Sequence, residues 1–254
     1  MQRLDILNTF LFPIDTYISS SRMINRLIGI NDKLDKLTYD ILIKILLLNF
    51  KFYFKLKGIG VENIPNEGGV ILACNHQSWL DATCVGVLSP RKVHFLAKSE
   101  LFKMPVLRHF LELAGALEIK RGGDKHGLMI ALETLKSGKV IGIFPEGTIP
   151  GEENIPRSAV EKETGLLKGR TGVIRLALRA KVPIIPVGIS GAGDALPPEA
   201  FPRLERLPIP KNVPITVSFG KPIYLEEYYD KEISYEILRL ETDKLMKKIS
   251  ELII

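Results

Sequence analysis

A histidine and a carboxylate stand five residues apart in the run NHQSWLD, at His76 and Asp81. A carboxylate that accepts one imidazole N–H fixes the tautomer of the ring and leaves the other nitrogen as a base. Such a base can take the proton of a hydroxyl group while the hydroxyl oxygen attacks a carbonyl carbon. Considered separately, Asp81 has the commoner role of a helix-capping acid, and His76 that of a loop histidine.

Ser78 explains how this spacing can work. Two helical residues five positions apart point about 140° away from each other. Ser78 is a favourable N-cap, and Ser78-x-x-Asp81 is similar to a capping box, so the sequence predicts a helix over 79–88. His76 then lies in the preceding turn, from which its ring can fold back over the first helical turn and meet Asp81.

A second run, FPEGT at residues 144–148, follows an apolar strand candidate. Pro145 ends the strand and Gly147 permits a tight turn, so Glu146 projects from that turn at the edge of a sheet. On its own, this run predicts only a surface acid in a turn.

The chain after residue 57 alternates short apolar runs with helical patterns. The strand candidates are 69–74, 92–97, 116–119, 139–144, 183–189 and 213–219, and the helix candidates are 79–88, 104–113, 126–137, 171–180 and 233–252. This alternation predicts an α/β domain over 58–254, with a single mixed or mostly parallel sheet flanked by helices. His76, Lys98, Arg121 and Glu146 each follow a strand candidate. Because ligands gather beyond the carboxyl ends of such strands, we expect one composite site.

Together the two runs resemble the signature motifs of the glycerolipid acyltransferases, specifically the 1-acylglycerol-3-phosphate acyltransferases of the bacterial PlsC type. NHQSWLD is similar to the His-x4-Asp motif of that family. Further stretches match the family in order across residues 75–189, and these are Lys98–Pro105, Gly115–Arg121, Lys168–Gly172 and Val182–Ile189. Several weak matches in the right order are much more specific than any one of them.

The resemblance implies transfer of an acyl group from a thioester to the sn-2 hydroxyl of 1-acyl-glycerol-3-phosphate (lysophosphatidate), which gives phosphatidate. His76 would be the general base and Asp81 its orienting partner. Glu146 would position the glycerol backbone or the turn of the site. The turn residues of the site would be Asn75, Pro145, Gly147 and Thr148.

The resemblance also implies basic residues for the phosphate, which suits guanidinium forks and ammonium groups. The candidates are Lys98, Arg121, Lys168 and Arg170. The arginine that commonly follows FPEGT is Ile149 here, so Arg157 in the next loop is the candidate replacement.

The donor would be a thioester of acyl carrier protein or coenzyme A, with no metal or redox cofactor. An acyltransferase acting on glycerol-3-phosphate or another lysolipid is the first alternative. The alternative of another class is a non-catalytic membrane-binding protein on the same fold.

Residues 1–57 hold nine basic against five acidic residues, in a chain of 254 residues whose formal net charge is +6. A basic segment suits nucleic acid or an anionic lipid surface, and the strongly apolar stretch 38–56 favours the membrane. Lys44, Lys51 and Lys55 would project within roughly 40° of one another on a helix. The sequence therefore predicts a helical pair, with a turn at 31–33, lying in the interface at the cytoplasmic face. Packing on the protein's own core or on a second subunit is the first alternative, and a single membrane-spanning helix is the second.

Overall fold

The computed structural model describes residues 31–103, 105–120, 125–152, 155–200 and 209–254. The strands are β1 (Lys57–Ile59), β2 (Val70–Cys74), β3 (Val93–Lys98), β4 (Leu117–Ile119), β5 (Val140–Ile143), β6 (Ile184–Ser190) and β7 (Thr216–Phe219). Within these ranges the helices are α1 (Asn31–Tyr53), α2 (Asp81–Leu88), α3 (Pro105–Ala114), α4 (Lys125–Lys136), α5 (Gly172–Ala180), α6 (Ala192–Ala195) and α7 (Tyr235–Ser250).

The seven strands form one sheet in the order β1-β7-β6-β2-β5-β3-β4. Neighbouring strands run parallel except β6 and β7, which are antiparallel. The prediction of a single, mostly parallel sheet flanked by helices is therefore confirmed. Strands β2 and β6 are apolar almost throughout because helices cover both faces of the sheet.

The core has two layers, one on each face of the sheet. Val70, Leu72 and Cys74 of β2 point into a cluster shared with α1, α2 and α6. Ile71 and Ala73 of the same strand point into the opposite cluster, which α4, α5 and α7 cover. Because alternate side chains of β2 pack on opposite faces of the sheet, both faces of the strand are buried. The residues that follow β2 are therefore attached to a rigid strand.

Several predicted boundaries shift. Helix α2 begins at Asp81 rather than at residue 79, and the predicted turn at 31–33 is the first turn of α1. Helix α1 ends at Tyr53, and Lys55 has a φ of 48°, so Lys55 does not continue the helical line of Lys44 and Lys51. The first member of the predicted helical pair falls within residues 1–30, which lie outside the described residues.

Helix α1 has apolar side chains on two opposite faces. Ile43, Leu46, Leu47 and Phe50 pack against the core cluster that also holds β2 and α2. The opposite face exposes Leu37, Ile41, Ile45, Leu48 and Phe52, the last of which is 83% exposed. Packing on the protein's own core, the alternative from the sequence, is therefore correct for one face only. Among the described helices, none combines the length and the uninterrupted apolar character of a membrane span.

Candidate active site

His76 and Asp81 are in contact. The Nδ1 atom of His76 lies 2.9 Å from Oδ2 of Asp81. The carboxylate is fully buried, whereas the imidazole is 20% exposed. The other ring nitrogen, Nε2, has no polar partner among the described residues. The buried Asp81 carboxylate therefore orients the ring through Nδ1, and Nε2 stays accessible to a substrate hydroxyl.

The turn before α2 is organised by Asp81 rather than by Ser78. Besides the imidazole, Oδ2 accepts the backbone N–H groups of Gln77 (2.7 Å) and Ser78 (2.8 Å). The Ser78 hydroxyl donates to the carbonyl of Leu196 and accepts from the Leu80 N–H, so only the Asp81-to-Ser78 half of the predicted capping box forms. These amides bond within the turn, so they are not free to act as oxyanion donors.

Glu146 joins the two motifs. Its Oε1 accepts the backbone N–H of His76 at 2.7 Å, and its Oε2 accepts the N–H of Leu167 at 2.8 Å. The side chain is buried, and burial raises the pKa of the Glu146 carboxyl to about 7, against the opposing effect of the two N–H groups. Both oxygens are engaged by backbone, so this residue holds the active-site turn. Its other predicted role, positioning the glycerol backbone, stays a prediction.

Phe144 is a site residue that the sequence analysis did not single out. Its ring stacks on the His76 imidazole, with centroids 3.8 Å apart and planes 13° from parallel. Phe95 stacks in turn on Phe144 with centroids 5.6 Å apart. The imidazole is thus held on one face by an aromatic ring and at its edge by a carboxylate. The position of Phe144 at the start of FPEGT is the sequence feature that could have identified it as a site residue.

Asn75 anchors the turn to the neighbouring strand. Its side chain donates to the carbonyl of Ile189 and accepts the Ile189 N–H, at 3.1 and 2.7 Å. The Gln77 amide donates to the same carbonyl. Because β2 and β6 are neighbours, these bonds extend the sheet's pairing past the end of β2, and Asn75 positions the histidine rather than a ligand.

Arg170 lies against the FPEGT turn. Its backbone N–H donates to the carbonyl of Pro145 at 2.8 Å. A Cβ placed on Gly147, whose φ is 74°, would come within 2.7 Å of the Arg170 guanidinium. Among the described residues, no acceptor pairs with that guanidinium, so it is available to an anion at the FPEGT turn.

The other predicted phosphate residues are less closely joined to His76. Lys98, at the end of β3, lies 3.6 Å from the carboxylate of Glu152. Arg157 makes two hydrogen bonds to Glu199 at 2.7 and 2.8 Å, on the surface. Lys168 lines a cavity of about 510 Å³ beside α7, with other charged side chains. Arg121 lies outside the described residues.

Two further features border the site. Thr148 is buried, and its hydroxyl has no hydrogen-bond partner among the described residues. An apolar cavity of about 80 Å³ lies between α1, α2, β3 and α3, and Phe95 forms part of its wall. Where the chain is described, no three His, Cys, Asp or Glu side chains converge in an arrangement that would hold a metal ion.

Comparison with known proteins identifies the family that the motifs resemble. A family model described as Acyltransferase matches residues 55–190. The chain is 27% identical over 193 residues to a 1-acyl-sn-glycerol-3-phosphate acyltransferase of Bacillus subtilis, covering 75% of this chain and 84% of the relative. It is 30% identical over 148 residues to the enzyme of that name from Saccharomyces cerevisiae, covering 57% of this chain and 46% of the relative.

The fold also matches a solved structure. The crystal structure of the 1-acyl-sn-glycerophosphate acyltransferase PlsC from Thermotoga maritima superposes with a TM-score of 0.62. The match covers 99% of this chain and 97% of the other, at 21% sequence identity. The similarity therefore extends over the whole architecture, including the helices outside the motif region.

Proposed function

Because the chain belongs to the acyltransferase family, we propose that it transfers a fatty acyl group from a thioester to the sn-2 hydroxyl of lysophosphatidate. The product is phosphatidate. The observation that carries this proposal is the contact between His76 Nδ1 and buried Asp81, which leaves Nε2 exposed as a base. The names of the Bacillus and yeast relatives support the choice of acceptor.

In the proposed reaction, Nε2 of His76 takes the proton of the acceptor hydroxyl as the oxygen attacks the thioester carbonyl. Asp81 stabilises the imidazolium that forms. The tetrahedral intermediate then collapses, the carbon–sulfur bond breaks, and the thiolate takes the proton from the imidazolium. Phosphatidate and the free thiol carrier leave. No covalent enzyme intermediate, metal or redox cofactor takes part, and the carrier is acyl carrier protein or coenzyme A.

The acceptor's phosphate is the natural partner of Arg170. Its guanidinium is unpaired within the described part of the chain and lies against the turn that Glu146 bonds to His76. A guanidinium fork suits a phosphate group, because its parallel N–H donors match two phosphate oxygens. Lys98 is a second candidate, provided that Glu152 yields its place to the phosphate.

We propose that the enzyme works at the membrane surface, on the cytoplasmic face. The exposed apolar stripe of α1 projects from the body within roughly 80° of arc. Lys44 and Lys51 are exposed along one edge of it, where their ammonium groups can reach anionic headgroups. A lysolipid acceptor would then be taken directly from the interface.

The test is acylation of lysophosphatidate by the purified protein, with acyl carrier protein and coenzyme A thioesters supplied in parallel. We expect His76→Ala to lower kcat by about 10²–10⁴-fold while the protein stays folded. Asp81→Asn should also lower kcat, because the amide cannot stabilise the imidazolium. His126→Ala, at an exposed histidine on α4, is the matched control and should retain activity.

Acceptor choice is tested with the same assay on lysophosphatidate, monoacylglycerol, glycerol-3-phosphate and other lysophospholipids. Lysophosphatidate should give the highest kcat/KM. A higher value for another acceptor would change the proposed substrate. Near-full activity of folded His76→Ala would remove His76 as the base, and no turnover with any pair would favour the non-catalytic binding protein.

A further inference from the structure

Helix α7 contacts the segment that carries Arg170. This helix lies outside residues 55–190, the part of the chain that the family model matches. It packs on the sheet through Leu238, Leu245, Met246 and Ile249. The same helix also contacts the loop between FPEGT and α5, which contains Arg170.

Arg239 of α7 makes the polar contact to that loop. Its Nη1 donates to the carbonyl oxygen of Gly169 at 2.7 Å. Its Nε and Nη2 donate to the two carboxylate oxygens of Asp243, one turn further along the helix. The paired carboxylate fixes the plane of the guanidinium, so the remaining nitrogen is aimed at the carbonyl. The Arg239 side chain is only 19% exposed, which reduces screening by solvent.

Gly169 lies directly against α7. A Cβ at this position would come within 2.6 Å of the Met246 side chain and 3.1 Å of the Thr242 methyl group. The loop backbone therefore packs directly on the helix. The hydrogen bond from Arg239 fixes the direction of the Gly169 carbonyl.

The peptide carbonyl that Arg239 holds belongs to the bond that leads into Arg170. On its other side, the Arg170 N–H donates to the Pro145 carbonyl. The same peptide plane is thus fixed at both ends, one by α7 and the other by the FPEGT turn. Rotation of this plane would swing the Arg170 side chain away from Gly147 and from the turn that Glu146 attaches to His76.

We propose that Arg239, oriented by Asp243, is a positioning residue for recognition of the acceptor's phosphate by Arg170. This inference rests on the proposed function, because it assigns the Arg170 guanidinium to the phosphate of lysophosphatidate. Arg239 itself touches backbone and does not contact substrate.

The experiment measures kcat and KM for lysophosphatidate and for monoacylglycerol, its phosphate-free counterpart. Arg239→Gln should raise KM for lysophosphatidate about tenfold, which is the loss expected from one misplaced charged contact. We expect kcat to stay within about twofold, and the KM for monoacylglycerol to stay unchanged. Lys248→Gln, at an exposed cation on the same helix, is the matched control and should behave like the unmodified protein.

Two further variants separate positioning from a general loss of stability. Asp243→Asn leaves Arg239 in place but weakens the pair that orients it, and should raise the same KM by a smaller factor. In an Arg170→Gln background, Arg239→Gln should add little, because the two residues act through one contact. Additive losses in the double variant, or equal losses for both acceptors, would overturn the positioning role while the proposed function stands. If the unmodified protein fails to acylate lysophosphatidate, the proposed function fails first and the positioning role with it.

Discussion

At the scale of single residues, the candidate site consists of one accessible base and several side chains that form hydrogen bonds with backbone groups. Asp81 bonds the imidazole and two N–H groups, and Asn75 and Glu146 bond backbone on neighbouring segments. These bonds leave the imidazole little freedom to turn, so its free nitrogen is presented in one direction. Preorganisation of this kind reduces the reorganisation that the transition state would otherwise require.

Glu146 leads to a prediction about stability and pH. Burial raises the pKa of its carboxyl from 4.5 to about 7, so the folded protein favours the neutral form more than the unfolded chain does. The resulting contribution to stability is complete below pH 4.5 and is lost as the pH rises through 7. Relative to Glu146→Gln, the unmodified protein should lose roughly 3 kcal/mol of unfolding free energy across that window.

Urea unfolding at several pH values from 4.5 to 8 measures this difference. Glu133→Gln, at an exposed glutamate, reports the effect of removing one carboxylate without burial. Glutamine offers one acceptor oxygen to two N–H groups, which adds an offset that does not depend on pH. Parallel curves for the unmodified protein and Glu146→Gln would contradict the assignment of the shift to Glu146.

At the scale of elements, α2 separates the catalytic turn from the apolar cavity. Ala82, Thr83, Gly86 and Val87 of this helix line the cavity, whose volume is about 80 Å³. Its wall includes Phe95, which connects through Phe144 to the imidazole. In the proposed reaction the thioester lies beside His76, so we expect the acyl chain to enter this apolar cavity.

We expect side chains added at Gly86 to shift the enzyme toward shorter acyl thioesters. Gly86 lines the cavity, and a Cβ at this position meets no atom within 4 Å, so an added side chain starts in open space. Excluding a few methylene groups should lower kcat/KM for a sixteen-carbon relative to a ten-carbon thioester by about tenfold in Gly86→Leu. Gly86→Ala should give a smaller shift, and an unchanged ratio in both variants would place the acyl chain elsewhere.

At the scale of the whole molecule, α1 is part of the hydrophobic core as well as the proposed membrane contact. Phe50 and Phe54 share the core cluster with β2, and β1 starts at Lys57, just after the helix. Removing residues 1–57 would therefore uncover the core, and a loss of activity would not report on lipid binding. Substitutions on the exposed stripe avoid this problem.

The double variant Ile41→Ser/Ile45→Ser should bind anionic vesicles about tenfold or more weakly. Each isoleucine is about half exposed, and its transfer into the lipid interface is worth on the order of 1 kcal/mol. Vesicle cosedimentation measures the binding, and turnover of a dispersed short-chain acceptor should remain. Leu240→Ser on α7, at a leucine of equal exposure, is the matched control. Unchanged vesicle binding in the double variant would refute docking through α1.

The sequence alone determined features that depend on neighbours along the chain. All six strand candidates correspond to strands, and β2 and β6 in the middle of the sheet are continuous apolar runs because both of its faces are covered there. The approach of His76 to Asp81 was also predictable, because five residues and one turn fix it. Strand β1 was missed, since Lys57-Gly58-Ile59 is short and lies at the edge of the sheet.

Only the tertiary structure decided the contacts between distant segments. The sheet order places β2 between β5 and β6, and this brings Glu146 to the His76 N–H and Asn75 to Ile189. Nothing local to Arg239 indicates that it meets Gly169, and nothing local to Arg157 indicates that Glu199 engages it. Such contacts depend on how whole elements pack, because a side chain's own sequence neighbourhood does not encode which segment will lie across from it.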